Sequence, residues 1–88
     1  MKIHWTKHAE ERQEQWQQRF QITREEVENV LTAPEQVVPE GEALVAQSKR
    51  GEGLLRVVYV EIAQTQRILT VYWTNQVKRY WREERDEN

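Results

Sequence analysis

The stretch Thr6-Lys7-His8-Ala9-Glu10-Glu11-Arg12 places an imidazole and a guanidinium four residues apart, one turn of a helix. Such a pair can both move a proton and hold a phosphate, because histidine titrates near neutrality and arginine keeps its charge. The chain has no cysteine and no Gly-rich phosphate loop to compete with it. His8 is therefore the leading candidate for proton transfer, against the plain alternative of a surface histidine near a helix N-terminus. His4, beside Trp5 in an extended N-terminal segment, is expected only to pack. The two histidines lack the i, i+4 spacing that brings two imidazoles to one metal. No metal site and no cofactor is expected.

Arg56 is the second candidate, since it interrupts the apolar run LLRVVYVEI. A guanidinium inside a strand must face solvent, pair with a carboxylate or point into a ligand site. Leu54, Val58 and Val60 share its parity, so an open solvated face does not explain it well. The segment ILTVYWTNQVKRYW then combines hydroxyls, aromatics and cations. Alternation along a strand puts Leu69, Val71 and Trp73 on a core face and leaves Thr70, Tyr72 and Thr74 for a ligand. Lys78, Arg79, Tyr80 and Trp81 follow, and aromatics interleaved with cations suit single-stranded RNA, where bases stack and phosphates are neutralised. Trp73 and Trp81 are expected in the core or at an interface. The hairpin register that would bring Arg56 beside Tyr72 is not fixed by the sequence.

Charge sharpens the picture. The formal net charge is -2 over 88 residues. Residues 1–52 carry seven Lys/Arg against ten Glu, whereas residues 53–82 carry Arg56, Arg67, Lys78, Arg79 and Arg82 against Glu61 alone. The end of the chain, 83–88, is acidic again and reads as a frayed tail. A basic, aromatic-rich segment between acidic ones is compatible with an anionic ligand docking locally, as it is with an ordinary solvated surface.

Those residues need elements to hold them. With 38% apolar residues and a mean hydropathy of -0.96, the chain is expected to form one thin-cored domain over 1–88. Such a core leans on its four tryptophans or on a partner, which makes a homodimer or a bound protein plausible. Helix one is expected from an N-cap at Thr6 to about Gln18, with His8, Arg12 and Arg19 along one edge of a stripe made by Ala9, Trp16 and Phe20. Helix two starts at a capping box of Thr23 and Glu26 with an Ile22/Val27 staple, and Ala33-Pro34 ends it. Strands are expected at Glu35–Val38, stopped by Pro39, then at Ala43–Lys49, Leu54–Ile62 and Ile68–Thr74, with the last two in the middle of the sheet. Thr74 or Asn75 would cap a short C-terminal helix carrying Val77, Tyr80 and Trp81. The fold class is α+β: two N-terminal helices packed on a three- to four-stranded antiparallel sheet. No run resembles a signal peptide or a membrane span, so a cytoplasmic chain without membrane contact is expected.

WTKHAEER, then ITREEVENVL and a proline-containing turn, then strands ending in TVYWTNQVKRYW, resemble the small uncharacterised DUF-type domains allied to RelE/BrnT-like toxins. The resemblance covers most of residues 4–82. It implies the fold of the barnase/EndoU/colicin/RelE-like ribonucleases, with the family's helix-one His and Arg at His8 and Arg12. It also implies a last-strand hydroxyl at Thr70 or Tyr72 and a following aromatic at Tyr80. The function it implies is that of a metal-independent endoribonuclease, the toxin of a toxin–antitoxin pair, with RNA as substrate and a cognate antitoxin as partner. His8 would act as general base or acid while Arg12, Arg56 and Lys78 hold the phosphoryl oxygens, Tyr72 or Tyr80 donates a proton, and Thr70 and Arg79 contact RNA. The alternative is a non-catalytic module of the same fold that binds RNA or a protein partner.

Overall fold

The computed structural model describes residues 1–83; the rest of the expected acidic tail lies outside the described residues. The elements run β1 (Lys2–Trp5), α1 (Lys7–Phe20), α2 (Arg24–Thr32), β2 (Gln36–Glu40), β3 (Ala43–Arg50), β4 (Gly53–Ile62), β5 (Thr65–Thr74) and α3 (Val77–Tyr80). The strands form one sheet in the order β1-β5-β4-β3-β2. The expected three- to four-stranded antiparallel sheet is therefore corrected to a five-stranded mixed one. The fifth strand is β1, which pairs in parallel with β5, His4 opposite Arg67 and Trp5 opposite Ile68. Residues 2–5 do alternate polar and apolar, but four residues make a weak periodic signal, and their partner lies some sixty residues away in sequence.

Thr6 joins the added strand to α1. Its side chain accepts a hydrogen bond from the Ala9 N–H, capping the helix, and donates to the Ile68 carbonyl at 2.7 Å. α1 runs two residues past the expected end and closes on Gln21 in a left-handed conformation. Thr23 caps α2 by accepting from the Glu26 N–H. Glu26, however, does not complete the capping box, because its carboxylate pairs with Arg50 at 2.8 Å and so ties α2 to the end of β3.

α1 and α2 cover one face of the sheet. Ala9, Ile22, Val27, Val30 and Leu31 meet Ala46, Leu55, Val57, Tyr59, Ile68 and Val71 in a continuous core. The expected reliance on tryptophan holds here, since Trp5, Trp16 and Trp73 border this core and each indole N–H is bonded, to Glu28, to the Val71 carbonyl and to the Arg50 carbonyl. Gly53 is required beneath Trp73: a Cβ there would lie 2.5 Å from the indole ring and 2.2 Å from the Thr74 carbonyl oxygen.

Two departures from regular strands shape the opposite face. β2 does not stop at Pro39 but continues to Glu40, with Pro39 opposite Leu44. Proline is tolerated because β2 is an edge strand, where a missing N–H breaks no ladder. In the β4–β5 hairpin the register shifts by one between Val58 and Tyr59: Tyr59 pairs with Ile68, but Val58 pairs with Thr70. Leu69 is the extra residue of this bulge. Period two would otherwise set Thr70 and Tyr72 on the face of Ile68; the bulge turns them to the other side and leaves Val71 and Trp73 in the core.

Candidate functional site

The bulge brings Tyr72 directly opposite Arg56, which is in turn opposite Gln47, itself opposite Gln36. Four strands thus contribute one row of side chains on the face away from α1 and α2. Arg56 is 1% exposed, buried as deeply as the apolar residues around it. Its Nε donates to Gln47 Oε1 at 2.8 Å, its Nη1 to the Tyr72 hydroxyl, and its Nη2 lies 3.4 Å from Glu40 Oε2. The Tyr80 ring of α3 closes the top, its centroid 4.0 Å from the guanidinium carbon. Tyr80 and Tyr72 meet edge to face with centroids 6.3 Å apart.

Gln47 carries the row onward. Its amide donates to Gln36 Oε1 at 2.8 Å and to the Tyr80 carbonyl at 3.1 Å. Gln36 in turn accepts from the Arg82 N–H and donates to the Arg82 carbonyl. α3 and the residues after it therefore form a strap across this face, anchored to β2 and β3, with the Lys49 ammonium 4.6 Å from the Trp81 ring. Leu54 and Val45, fully buried, share the parity of Arg56 on this face. This explains the poor alternation around Arg56: the second face is partly covered too, so apolar neighbours belong there.

The protonation chemistry follows from the donor inventory. Guanidinium nitrogens only donate, so the Tyr72 oxygen is the acceptor in its bond to Arg56 and the phenolic proton is left for another partner. Burial pushes the Tyr72 hydroxyl above its ordinary value of 10.0, against the opposing pull of the Arg56 charge. The phenol therefore stays protonated at neutral pH. Glu40 sits across the guanidinium from Tyr72, 49% exposed at the rim. The row is thus a proton donor, a fixed cation and a carboxylate in sequence.

The structure brings together Arg56, Tyr72 and Tyr80 and does not bring His8 or Arg12 to them. His8 and Arg12 are exposed on α1, on the helix-covered side, with the sheet between them and Arg56; Arg12 bonds Gln15 at 3.3 Å. Arg19 stacks on Trp16 and Phe20 instead of lining a groove. Thr70 lies on the Arg56 face, opposite Val58. Lys78 and Arg79 are exposed on α3, and Arg79 bonds Gln76, the residue that precedes the helix in place of the expected Thr74 or Asn75 cap. Sequence reasoning passed over Glu40, because β2 was ended at Pro39, and Gln47. The signal for Gln47 was present: a two-residue turn at Gly51-Glu52 pairs Arg50 with Gly53 and, counting back, Gln47 with Arg56.

Among the described residues no three His, Asp or Glu gather as metal ligands, and no helix is long and apolar enough to cross a membrane. The fold and this row define a small α+β domain with one helix-covered face and one cation-bearing face. The model of a domain of unknown function, DUF4258, matches residues 5–73, and the chain belongs to that family. Comparison with curated proteins and with solved structures gives no significant match. The matched span takes in Glu40, Gln47, Arg56 and Tyr72 and ends before α3.

Proposed function

We propose that the Arg56 face is the working face of a metal-independent endoribonuclease, as in the toxin half of a toxin–antitoxin pair. The observation that carries this reading is the row Tyr72–Arg56–Glu40, in which a free phenolic proton and a carboxylate flank a fixed guanidinium. The Glu40 carboxylate takes the proton of an RNA 2′-hydroxyl, the 2′-oxygen bonds to the adjacent phosphorus, and the bond from phosphorus to the 5′-oxygen breaks. Tyr72 gives its proton to the departing 5′-oxygen, and the proton held by Glu40 returns to Tyr72 through solvent. The products are a 2′,3′-cyclic phosphate and a 5′-hydroxyl. Arg56 offsets the charge that gathers on the phosphoryl oxygens, provided that the Tyr80 ring swings aside to admit them.

A second reading, a non-catalytic module that binds RNA or a protein, is favoured by the closure of Arg56, each of whose nitrogens already meets an oxygen. Incubation of the full chain with RNA in chelator, against an all-deoxy strand, separates the two. The nuclease reading requires cyclic-phosphate ends from RNA alone. It also requires losses of roughly 100-fold or more in kcat for Glu40→Gln and for Tyr72→Phe with thermal melting retained. His8→Ala is expected to cleave normally; a loss confined to that variant would return the chemistry to α1. Binding without cleavage in the wild-type chain would establish the second reading.

A further inference from the structure

A second set of cations lies on the same sheet face, at the end away from α3. His4 of β1 stands directly opposite Arg67 of β5, and Lys2 stands opposite Thr65. The neighbours of these positions, Ile3 and Trp5, face the α1/α2 core, so Lys2 and His4 project from the Arg56 side, as does Arg67. Lys2, His4 and Arg67 are exposed, and no carboxylate pairs with any of them among the described residues. Glu61, the acid nearest in register, points to the other face, where its charge acts on Tyr59. Basic groups directly opposite one another in a sheet repel, and nothing built into this face offsets them.

From Arg67 to Tyr72 is five residues along β5, about 15 Å at ~3.3 Å per residue. Between them the face offers Thr70 on β5 and Val58 and Val60 on β4, a floor without negative charge. The spacing corresponds to about four phosphates at the ~3.4 Å rise of a stacked single strand. Resting on the reading of the Arg56 face as an RNA site, we propose that Lys2, His4 and Arg67 form a distal phosphate subsite. It holds the flanking backbone of the same single-stranded RNA, which lies along β5 with its scissile phosphate at Arg56.

The test compares a long and a short ligand. Binding of a 2′-O-methyl octanucleotide, which cannot be cleaved, is followed by fluorescence anisotropy across a salt series; binding of a 2′-O-methyl dinucleotide, which reaches only the Arg56 end, is followed by NMR titration. In Lys2→Gln/His4→Gln/Arg67→Gln the octanucleotide is expected to bind at least 10-fold more weakly. The slope of log K against log salt is expected to fall by about 2, at ~0.7 per phosphate contact, with dinucleotide binding unchanged. Equal losses on both ligands, or none on the octanucleotide, overturn the subsite. So does competition by a poly-glutamate peptide that displaces RNA from the wild-type chain but not from the variant at equal occupancy, which would mark an acidic-peptide surface. If the octanucleotide binds as expected but no unmodified RNA is cleaved, the nuclease reading fails and the subsite stands. If cleavage of a long RNA is as fast in the triple variant as in the wild type at subsaturating substrate, the subsite fails and the nuclease reading stands.

Discussion

The two faces of the sheet are buried to the same degree and held by different forces. Toward α1 and α2, Leu55, Val57 and Val71 pack on Ala9, Ile22 and Val27, and the polar atoms of that side are confined to its border, where tryptophan indoles reach carbonyls and Glu28. Toward α3, Val45 and Leu54 are just as inaccessible, yet they share their layer with Arg56 and Gln47. The first face is stabilised by area removed from water, which no ligand can replace without leaving a void. The second is stabilised by directed bonds from Arg56 through Gln47 and Gln36 to Arg82, each of which another oxygen or N–H can take over. A polar ligand can exchange partners on the second face; on the first it has nothing to exchange.

The largest effect is expected on the apolar side. Leu55→Ala removes a fully buried side chain from the centre of the helix-covered core and is expected to lower the unfolding free energy by about 4 kcal/mol, read from the denaturant midpoint. A loss below about 1 kcal/mol would mean that this face does not carry the fold, and the contrast between the two sides would fail.

Arg56→Met is expected to cost less, about 2 kcal/mol, through a different route. Methionine fills most of the space, but Gln47 Oε1 loses its donor in a site without water access, and such an orphaned group costs about 1–3 kcal/mol. Since the damage lies in the unpaired partner, Arg56→Met/Gln47→Leu is expected to regain much of the loss, as apolar replacements of buried polar groups often do. A double variant no more stable than the single one would show that the Arg56 row does not depend on its internal pairing, against the account of the second face given above.

How much of this contrast could be read from the chain varies with the range of the contacts behind it. The ends of both helices were legible because Thr6, Thr23 and Pro34 act within a few residues of themselves. Gln47 opposite Arg56 was legible in principle from the two-residue turn at Gly51-Glu52. Tyr72 opposite Arg56 was not legible by the same count, because the Ala63-Gln64 turn pairs Ile62 with Thr65 and would set Val71 there without the bulge. The trace of that bulge in the sequence is Ile68-Leu69, two apolar residues in succession, with the next core residue at Val71, three positions from Ile68. β1 depends on a parallel pairing across most of the chain, and local pattern has no access to it. His8 drew attention as an isolated residue type; which side of the sheet α1 occupies relative to Arg56 is a tertiary fact.

The smallest expected effect compares one tyrosine from each face. Tyr59, on the helix-covered side, is pushed above 10.0 by burial and further by Glu61, against a side-chain bond to Gln66. Tyr72 is pushed up by burial as well, but the Arg56 charge and its hydrogen bond draw it back. Both groups keep their protons longer in the folded chain than in the unfolded one. Above pH ~10 the unfolded state therefore binds fewer protons, and stability falls as pH rises; below pH ~10 the full contribution of each is present. Denaturant midpoints taken from pH 9 to 11.5 are expected to decline, and more gently in Tyr72→Phe and in Tyr59→Phe, each of which removes one titrating group. The two faces separate in Arg56→Met, because removing the guanidinium leaves burial unopposed at Tyr72 and nothing changed at Tyr59. Absorbance titration near 295 nm, with the two phenols assigned through their phenylalanine variants, is expected to show Tyr72 moving further up and Tyr59 staying in place. A downward move of Tyr72 would mean that its burial depends on Arg56 filling the layer, and that the guanidinium acts there as packing rather than as charge.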